Sequence, residues 1–197
     1  MTTMIRNYFL PILWALVIIW PASGFTEEFD DMSIYHLPAK WETQKGNTIN
    51  LSDLNGNVLV VVMIYTSCKM ACPVLIGEMK NIEATVKKRA QGDVKYVLVS
   101  IDPERDTPER LRKISEEYDM TGDQWVFLRG SDETTREFAN LLAVKYTKIS
   151  PIDFSHSNII SVFERQGTLV HQREGLNVDN KETIDKIVDL LGDKDKS

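Results

Sequence analysis

The sequence has no internal repeat, no glycine-rich loop of the kind that cradles phosphate, and no carboxylate-rich loop of the kind that grips a hard cation. Those gaps remove the usual signs of a solenoid, a nucleotide site and a calcium site. Positive charge is also short: 23 Lys and Arg stand against 29 Asp and Glu, a formal net charge of −6. An acidic surface argues against nucleic acid and anionic membrane as partners and suits a basic protein, or no partner in particular. Cysteine is scarce as well. There are two cysteines, too few for a four-sulfur zinc site, and both lie in one stretch, Val58 to Met79.

The length and an apolar share of 43% fit one globular domain preceded by a leader. Arg6 precedes a largely apolar run from Tyr8 to Trp20, and Ala22-Ser23-Gly24 supplies the small residues of a cleavage site. That run falls short of the ~20 residues that cross a bilayer, which favours a signal peptide over residues 1–24 rather than a retained anchor. The mature chain then begins near Phe25. Loss of Arg6 leaves 22 basic residues against 29 acidic ones, so the net charge moves from −6 to −7. Export to the periplasm, or to the outer face of the inner membrane if the leader is kept, places the cysteines in an oxidising compartment. A free pair there needs a thiol reductant as a partner.

The organising stretch opens with Val58-Leu-Val-Val-Val-Met-Ile-Tyr65, an apolar run rich in Val, and predicts a strand buried on both faces. Cys68 and Cys72 follow at its carboxyl end, where α/β sheets place their chemistry. If the segment from about Cys68 is helical, residues four apart share a face with Cβ atoms about 5 to 6 Å apart, close enough to grip one ion or to form a disulfide. Helix N-terminal amides favour thiolate, and Lys69 adds positive charge. A bridge across four residues would constrain almost no chain, so the pair reads as reactive rather than as a structural staple. Thiolates select Cu(I), zinc or iron–sulfur chemistry over hard cations. Met63 and Met79 read as core, whereas Met70, between the cysteines, is either a ligand or an apolar docking spot.

Around this stretch the chain predicts an N-terminal arm over 25–50, irregular from Phe25 to Gly46 and packed through its aromatics, then the domain over 51–192 and a polar tail over 193–197. Pro73 suits the first turn of a helix whose stripe is Leu75, Ile76, Met79, Ile82 and Val86. A second strand covers Val94 to Ile101, so the order strand, helix, strand implies a parallel crossover. Asp106 or Thr107 caps the next helix, and Asp102 and Asp106 read as turn and cap residues rather than paired catalytic carboxylates. A short strand starts at Trp125, a helix opens after Ser131, and Lys145 to Phe154 reads as a loop. Ile159–Phe163 and Thr168–His171, joined by a turn at Gly167, predict a β-hairpin with His156 at its opening. A closing helix runs from Asn180 to Leu191. His36 and His171 read as bystanders, the latter exposed. The expected class is α/β: a thioredoxin-like fold, with a central mixed sheet flanked by helices and a β-hairpin insertion carrying the histidine.

Three blocks, Tyr65-Thr-Ser-Cys68-Lys-Met-Ala-Cys72-Pro73, Val99-Ser-Ile-Asp102-Pro-Glu-Arg-Asp106-Thr-Pro-Glu-Arg110 and His156-Ser157, together resemble the Sco/SenC family. These are thioredoxin-fold copper proteins of cytochrome c oxidase assembly, and the match covers about Leu51 to Leu191. The resemblance implies that Cys68, Cys72 and His156 are the metal ligands for one copper ion, Cu(I) or Cu(II). It also implies a metallochaperone that delivers copper to a partner site, such as the binuclear centre of cytochrome c oxidase subunit II. The chain departs from the family pattern in having Lys69 and Met70 where Pro and often an acidic residue follow the first cysteine. Ser155 stands where Asp is common before the histidine, which predicts a lost contact to the imidazole. The segment from Tyr146 to His156 is also short for the family.

Other readings remain beside it. A thiol-disulfide oxidoreductase would use Cys68 and Cys72 as a redox pair without metal, although such enzymes of this fold typically carry CxxC. A thiol peroxidase is weaker, because no Pro stands four residues before Thr66. A structural domain with a plain disulfide is the least demanding alternative.

Overall fold

The structure, a computed structural model, describes residues 29–192; the expected leader and the polar tail lie outside the described residues. The arm is more ordered than its composition suggests. A short turn of 3-10 helix at Ile34–His36 leads to β1 (Trp41–Thr43), which folds back on β2 (Thr48–Ile49). Glu42 and Thr43 pair antiparallel with Arg129 and Leu128, and the Gln44 amide spans the next step, donating to the Trp125 carbonyl and accepting from the Phe127 N–H. The expectation of an irregular arm is thereby corrected: strands of two and three residues are too short to show a period of two. Trp41 is fully buried, edge-on to Phe138 at 5.3 Å.

All seven residues of β3 (Val58–Ile64) are buried. Each such Val, Leu or Ile contributes about 1.5–3 kcal/mol by leaving water, which makes this strand the anchor of the core. The chain then turns into α1 (Ala71–Arg89), whose buried face is Cys72, Leu75, Ile76, Met79, Ile82 and Val86. It returns as β4 (Val94–Ser100), parallel to β3 from Val58↔Val94 to Ile64↔Ser100. A second crossover follows through α2 (Pro108–Glu117) to β5 (Trp125–Arg129), parallel to β4. Thr107 caps α2 by accepting the Arg110 N–H, and Pro108 sits in the first turn, where its missing donor costs nothing.

Next come α3 (Asp132–Leu141), capped by Ser131, and a small antiparallel pair, β6 (Tyr146–Lys148) and β7 (Phe154–His156). The segment read as a loop over 145–154 is therefore largely a hairpin of its own. Three-residue strands with polar exposed faces give it no hydrophobic signature. β8 (Ile159–Phe163) pairs antiparallel with β3, and β9 (Leu169–Glu174) with β8, so the predicted second hairpin is present. His156 belongs to the first hairpin, not to this one. Gly167 turns the second hairpin with φ +82°, and a Cβ there would lie 2.6 Å from Ser33 Oγ, so glycine lets the arm lie against the turn. The last element is α4 (Lys181–Gly192), packed on α1, β3 and β9.

The main sheet runs β2-β1-β5-β4-β3-β8-β9, while β6-β7 forms a separate two-stranded sheet. This is the expected mixed sheet flanked by helices, with β3 near its middle. The carboxyl ends of β3 and β4 lie side by side, which brings the cysteine loop next to the segment from Asp102 to Asp106.

Candidate metal centre

After Ile64 the chain leaves the sheet in a turn closed by the Cys68 N–H donating to the Tyr65 carbonyl at 3.2 Å. The helix begins at Ala71, so Cys68 precedes it and only Cys72 lies within its first turn. The condition that the segment is helical from about Cys68 is therefore not met, and the later start has a local cause. Met70 occupies the N-cap position and offers no side-chain cap. The Cys72 N–H instead donates to Cys68 Sγ at 3.3 Å, so the first cysteine takes the role of a capping side chain. Neither cysteine is in a disulfide; Cys68 is half-buried and Cys72 buried.

The two sulfurs are electrically unequal. Cys68 accepts a hydrogen bond from the Cys72 thiol, together with main-chain N–H groups and the Tyr65 hydroxyl, and these donors bring it down to about 4. Cys72, bonded to that same sulfur and buried, is pushed well above the ordinary thiol value. One proton thus stays with the inner sulfur while the outer one is a thiolate.

His156 closes the trio from the end of β7. Its Nδ1–H donates to the Ser157 carbonyl at 2.9 Å, which leaves the lone pair on Nε2. That nitrogen faces Cys72 Sγ at 3.9 Å, and the ligand atoms of Cys68, Cys72 and His156 all lie within 4.8 Å of one another. Tyr65 holds the ring in place: it meets the imidazole edge-on at 5.8 Å and Phe154 at 5.3 Å, and its one hydroxyl proton is shared between the Phe154 carbonyl at 3.3 Å and Cys68. Ser155 is exposed and takes no part, so the orienting contact expected to be missing is supplied by the main chain of the next residue but one.

A family model described as SCO1/SenC matches residues 36–192. The chain belongs to the SCO1/SenC family. Among its relatives, the SCO1 protein homolog of Bacillus subtilis (strain 168) is 33% identical over 119 residues, 60% of this chain and 61% of that protein. A putative copper-binding protein of Stutzerimonas stutzeri is 23% identical over 146 residues, 72% of this chain and 70% of that one. The chain thus spans about three-fifths of the length of the Bacillus relative. Arabidopsis thaliana ScoI with copper bound shares the fold with a TM-score of 0.70 at 22% identity, over 78% of this chain and 96% of that one. BsSco, described as a member of the Sco family of cytochrome c oxidase assembly proteins, superposes with a TM-score of 0.68 at 25% identity, over 78% and 91%.

Several SCO1/SenC residues around the trio carry roles that the sequence reading did not assign. Asp106 is fully buried; its carboxylate accepts from the Thr66 N–H at 3.1 Å, the Thr66 hydroxyl at 2.5 Å and the Ser100 hydroxyl at 2.6 Å. It therefore ties the end of β4 to the cysteine loop, and Thr107 alone caps α2. Burial raises its carboxyl above the ordinary value, against the pull of these donors. Asp102 pairs instead with Arg105 at 3.1 Å, a turn contact of the kind expected. Arg110 reaches over to donate to Ser67 Oγ. The pairing of Asp106 with Thr66 was visible only as two polar residues in separate blocks, and nothing in their spacing connects them.

The other two histidines stand apart from the site. His36 is exposed and its Nε2 donates to the Asp30 carbonyl. His171 is not exposed as expected: its side chain is 12% accessible and its Nε2 lies 2.9 Å from the buried hydroxyl of Thr183. Docking of α4 on β9 covers it.

Proposed function

We propose that this protein is an exported copper-binding metallochaperone, in which Cys68, Cys72 and His156 hold one copper ion as cargo and pass it to a partner. The observation that carries the reading is the convergence of two sulfurs and the free Nε2 of one imidazole within 4.8 Å. Two thiolates and an imidazole are soft to borderline donors and suit Cu(I) with three ligands, or Cu(II) with one more. The site is prepared for such an ion: Cys68 is ionised in advance, and the His156 tautomer that ligates is held by the Ser157 carbonyl. Cys72 gives up its proton when the metal enters.

Delivery then proceeds by ligand exchange onto thiolates or imidazoles of an acceptor, such as the binuclear centre of cytochrome c oxidase subunit II. The printed descriptions of BsSco and of the copper-bound Arabidopsis protein support this direction. Export fits a leader over residues 1–24 and a site in the periplasm or at the outer face of the inner membrane. Among the described residues no helix is long and apolar enough to cross a membrane. A thiol reductant protein keeps the pair open for metal.

One observation favours a second reading, a thiol-disulfide oxidoreductase: the half-buried Cys68 thiolate beside a buried Cys72 thiol is the arrangement of an attacking and a resolving sulfur. The deciding experiment is Cu(I) titration of the reduced protein and of Cys68→Ala, Cys72→Ala and His156→Ala against a chromophoric chelator. One ion per chain in the wild type, with weakened binding in each variant, is the expected result. Unchanged binding in all three, together with turnover of a disulfide substrate by metal-free protein, would replace the chaperone by the enzyme.

A further inference from the structure

Of the three methionines near the cysteines, Met63 and Met79 are buried in the core, but Met70 is 83% exposed. It lies two residues from each cysteine, at the N-cap position of α1, where Ser, Thr, Asp or Asn would stabilise the helix and a thioether does not. Neither packing nor capping accounts for it. Met70 instead lines the mouth of a cleft of about 580 Å³ whose walls include Tyr65, Cys68, Ile149, Ile152 and His156. Ile149 and Ile152, across the mouth in the turn between β6 and β7, are themselves 66% and 56% exposed. The thioether is thus the outermost soft donor of the site, on a side chain with three rotatable bonds.

We propose that Met70 is an exchange ligand for Cu(I), whose thioether takes the place of the His156 imidazole on the metal as the ion enters or leaves. This rests on the reading of the trio as a copper site. The exchange is balanced: a Cu–N bond to Nε2 breaks, a Cu–S bond to Met70 Sδ forms, and the copper stays Cu(I). Both donors are neutral, so the charge of the site does not change, and the imidazole keeps its lone pair. The placement of the two donors suits this order of events. His156 belongs to β6-β7, a two-stranded sheet separate from the main one, whereas Met70 belongs to the cysteine loop that Asp106 ties to β4. A thioether is a weaker donor than a thiolate, so it can hold Cu(I) between the two cysteines and an acceptor without trapping it.

The test uses the reduced protein labelled with 13C-methyl methionine, with Met70→Leu as the comparison because leucine keeps the apolar bulk and removes only the sulfur. In a His156→Ala background, Cu(I) should shift the Met70 methyl resonance, and adding Met70→Leu should lower the Cu(I) affinity by a further tenfold or so, the loss expected for one soft ligand. In the otherwise wild-type protein, Met70→Leu should slow capture of Cu(I) by a chelator several-fold, of the same order. A Met70 methyl that ignores Cu(I), or equal affinities with and without the thioether in the His156→Ala background, overturns the proposal. Failure of the underlying site reading looks different: the Cys68→Ala and Cys72→Ala proteins would then bind Cu(I) as the wild type does.

Discussion

The main-chain N–H of Cys72 donates to the sulfur of Cys68 at 3.3 Å, so the outer thiolate closes the first turn of the helix that carries the inner thiol. The two cysteines are consequently distinct reagents, although the sequence presents them as a symmetrical pair.

Alkylation should reveal that difference. With Cys68 held down to about 4 and Cys72 pushed up by the shared hydrogen bond and burial, the outer sulfur is a thiolate throughout the neutral range. Iodoacetamide at about pH 6, well below the ordinary thiol pKa of about 8.5, should label Cys68 and spare Cys72. The labelling rate should fall only as the pH drops through about 4, where the thiolate takes up its proton. Peptide mapping by mass spectrometry reads the outcome; equal labelling of both cysteines would contradict it.

Asp106 should matter to the cysteine loop through its hydrogen bonds more than through its charge. Asp106→Ala leaves the Thr66 and Ser100 groups without their buried acceptor and should cost about 2–4 kcal/mol. Asp106→Asn keeps an acceptor of the same shape. Because burial raises the folded-state pKa, the wild-type carboxyl favours folding most when protonated, and that contribution declines as the pH rises through the raised value. Urea unfolding from about pH 4 to about pH 7 should therefore show the Asn variant gaining on the wild type as the pH rises. A gap that moves the other way would mean the donors, not burial, dominate.

Tyr65 should separate packing from hydrogen bonding at the site. Tyr65→Phe removes the single hydroxyl proton shared between the Phe154 carbonyl and Cys68, and should cost under about 1 kcal/mol in stability. It should also raise the pKa of Cys68. Tyr65→Ala loses the ring contacts with Phe154 and His156 as well, and should cost about 3–5 kcal/mol while weakening Cu(I) binding beyond the Phe variant. Thermal melts and chelator competition on the two variants check this order.

How far the sequence could be read follows from the range of the signals. The seven apolar residues of β3 and the spaced stripe of α1 are local patterns: β3 ends one residue from its expected bound, and α1 buries the expected stripe although the helix itself is shorter, Ala71–Arg89. The trio of Cys68, Cys72 and His156 is suggested in the sequence only by the family resemblance, because nothing local to His156 points to sulfurs 84 and 88 residues away. What escaped notice was either too short or too distant. β1, β2, β6 and β7 have two or three residues each, below the length at which alternation can be recognised. The buried tie from Asp106 to Thr66 crosses 40 residues and uses types that are equally common in turns and caps.

The β1-β2 flap ends the sheet in a strand of only two residues and covers the side of β5 that would otherwise lie bare. A chain trimmed to start at residue 51, where the long hydrophobic elements begin, would keep Cys68, Cys72 and His156 yet present β5 as a raw edge. Uncapped strands recruit other strands. Such a shortened protein should elute earlier for its mass on size-exclusion chromatography than the intact one, which would make two short strands of the arm the guard of the sheet's open side.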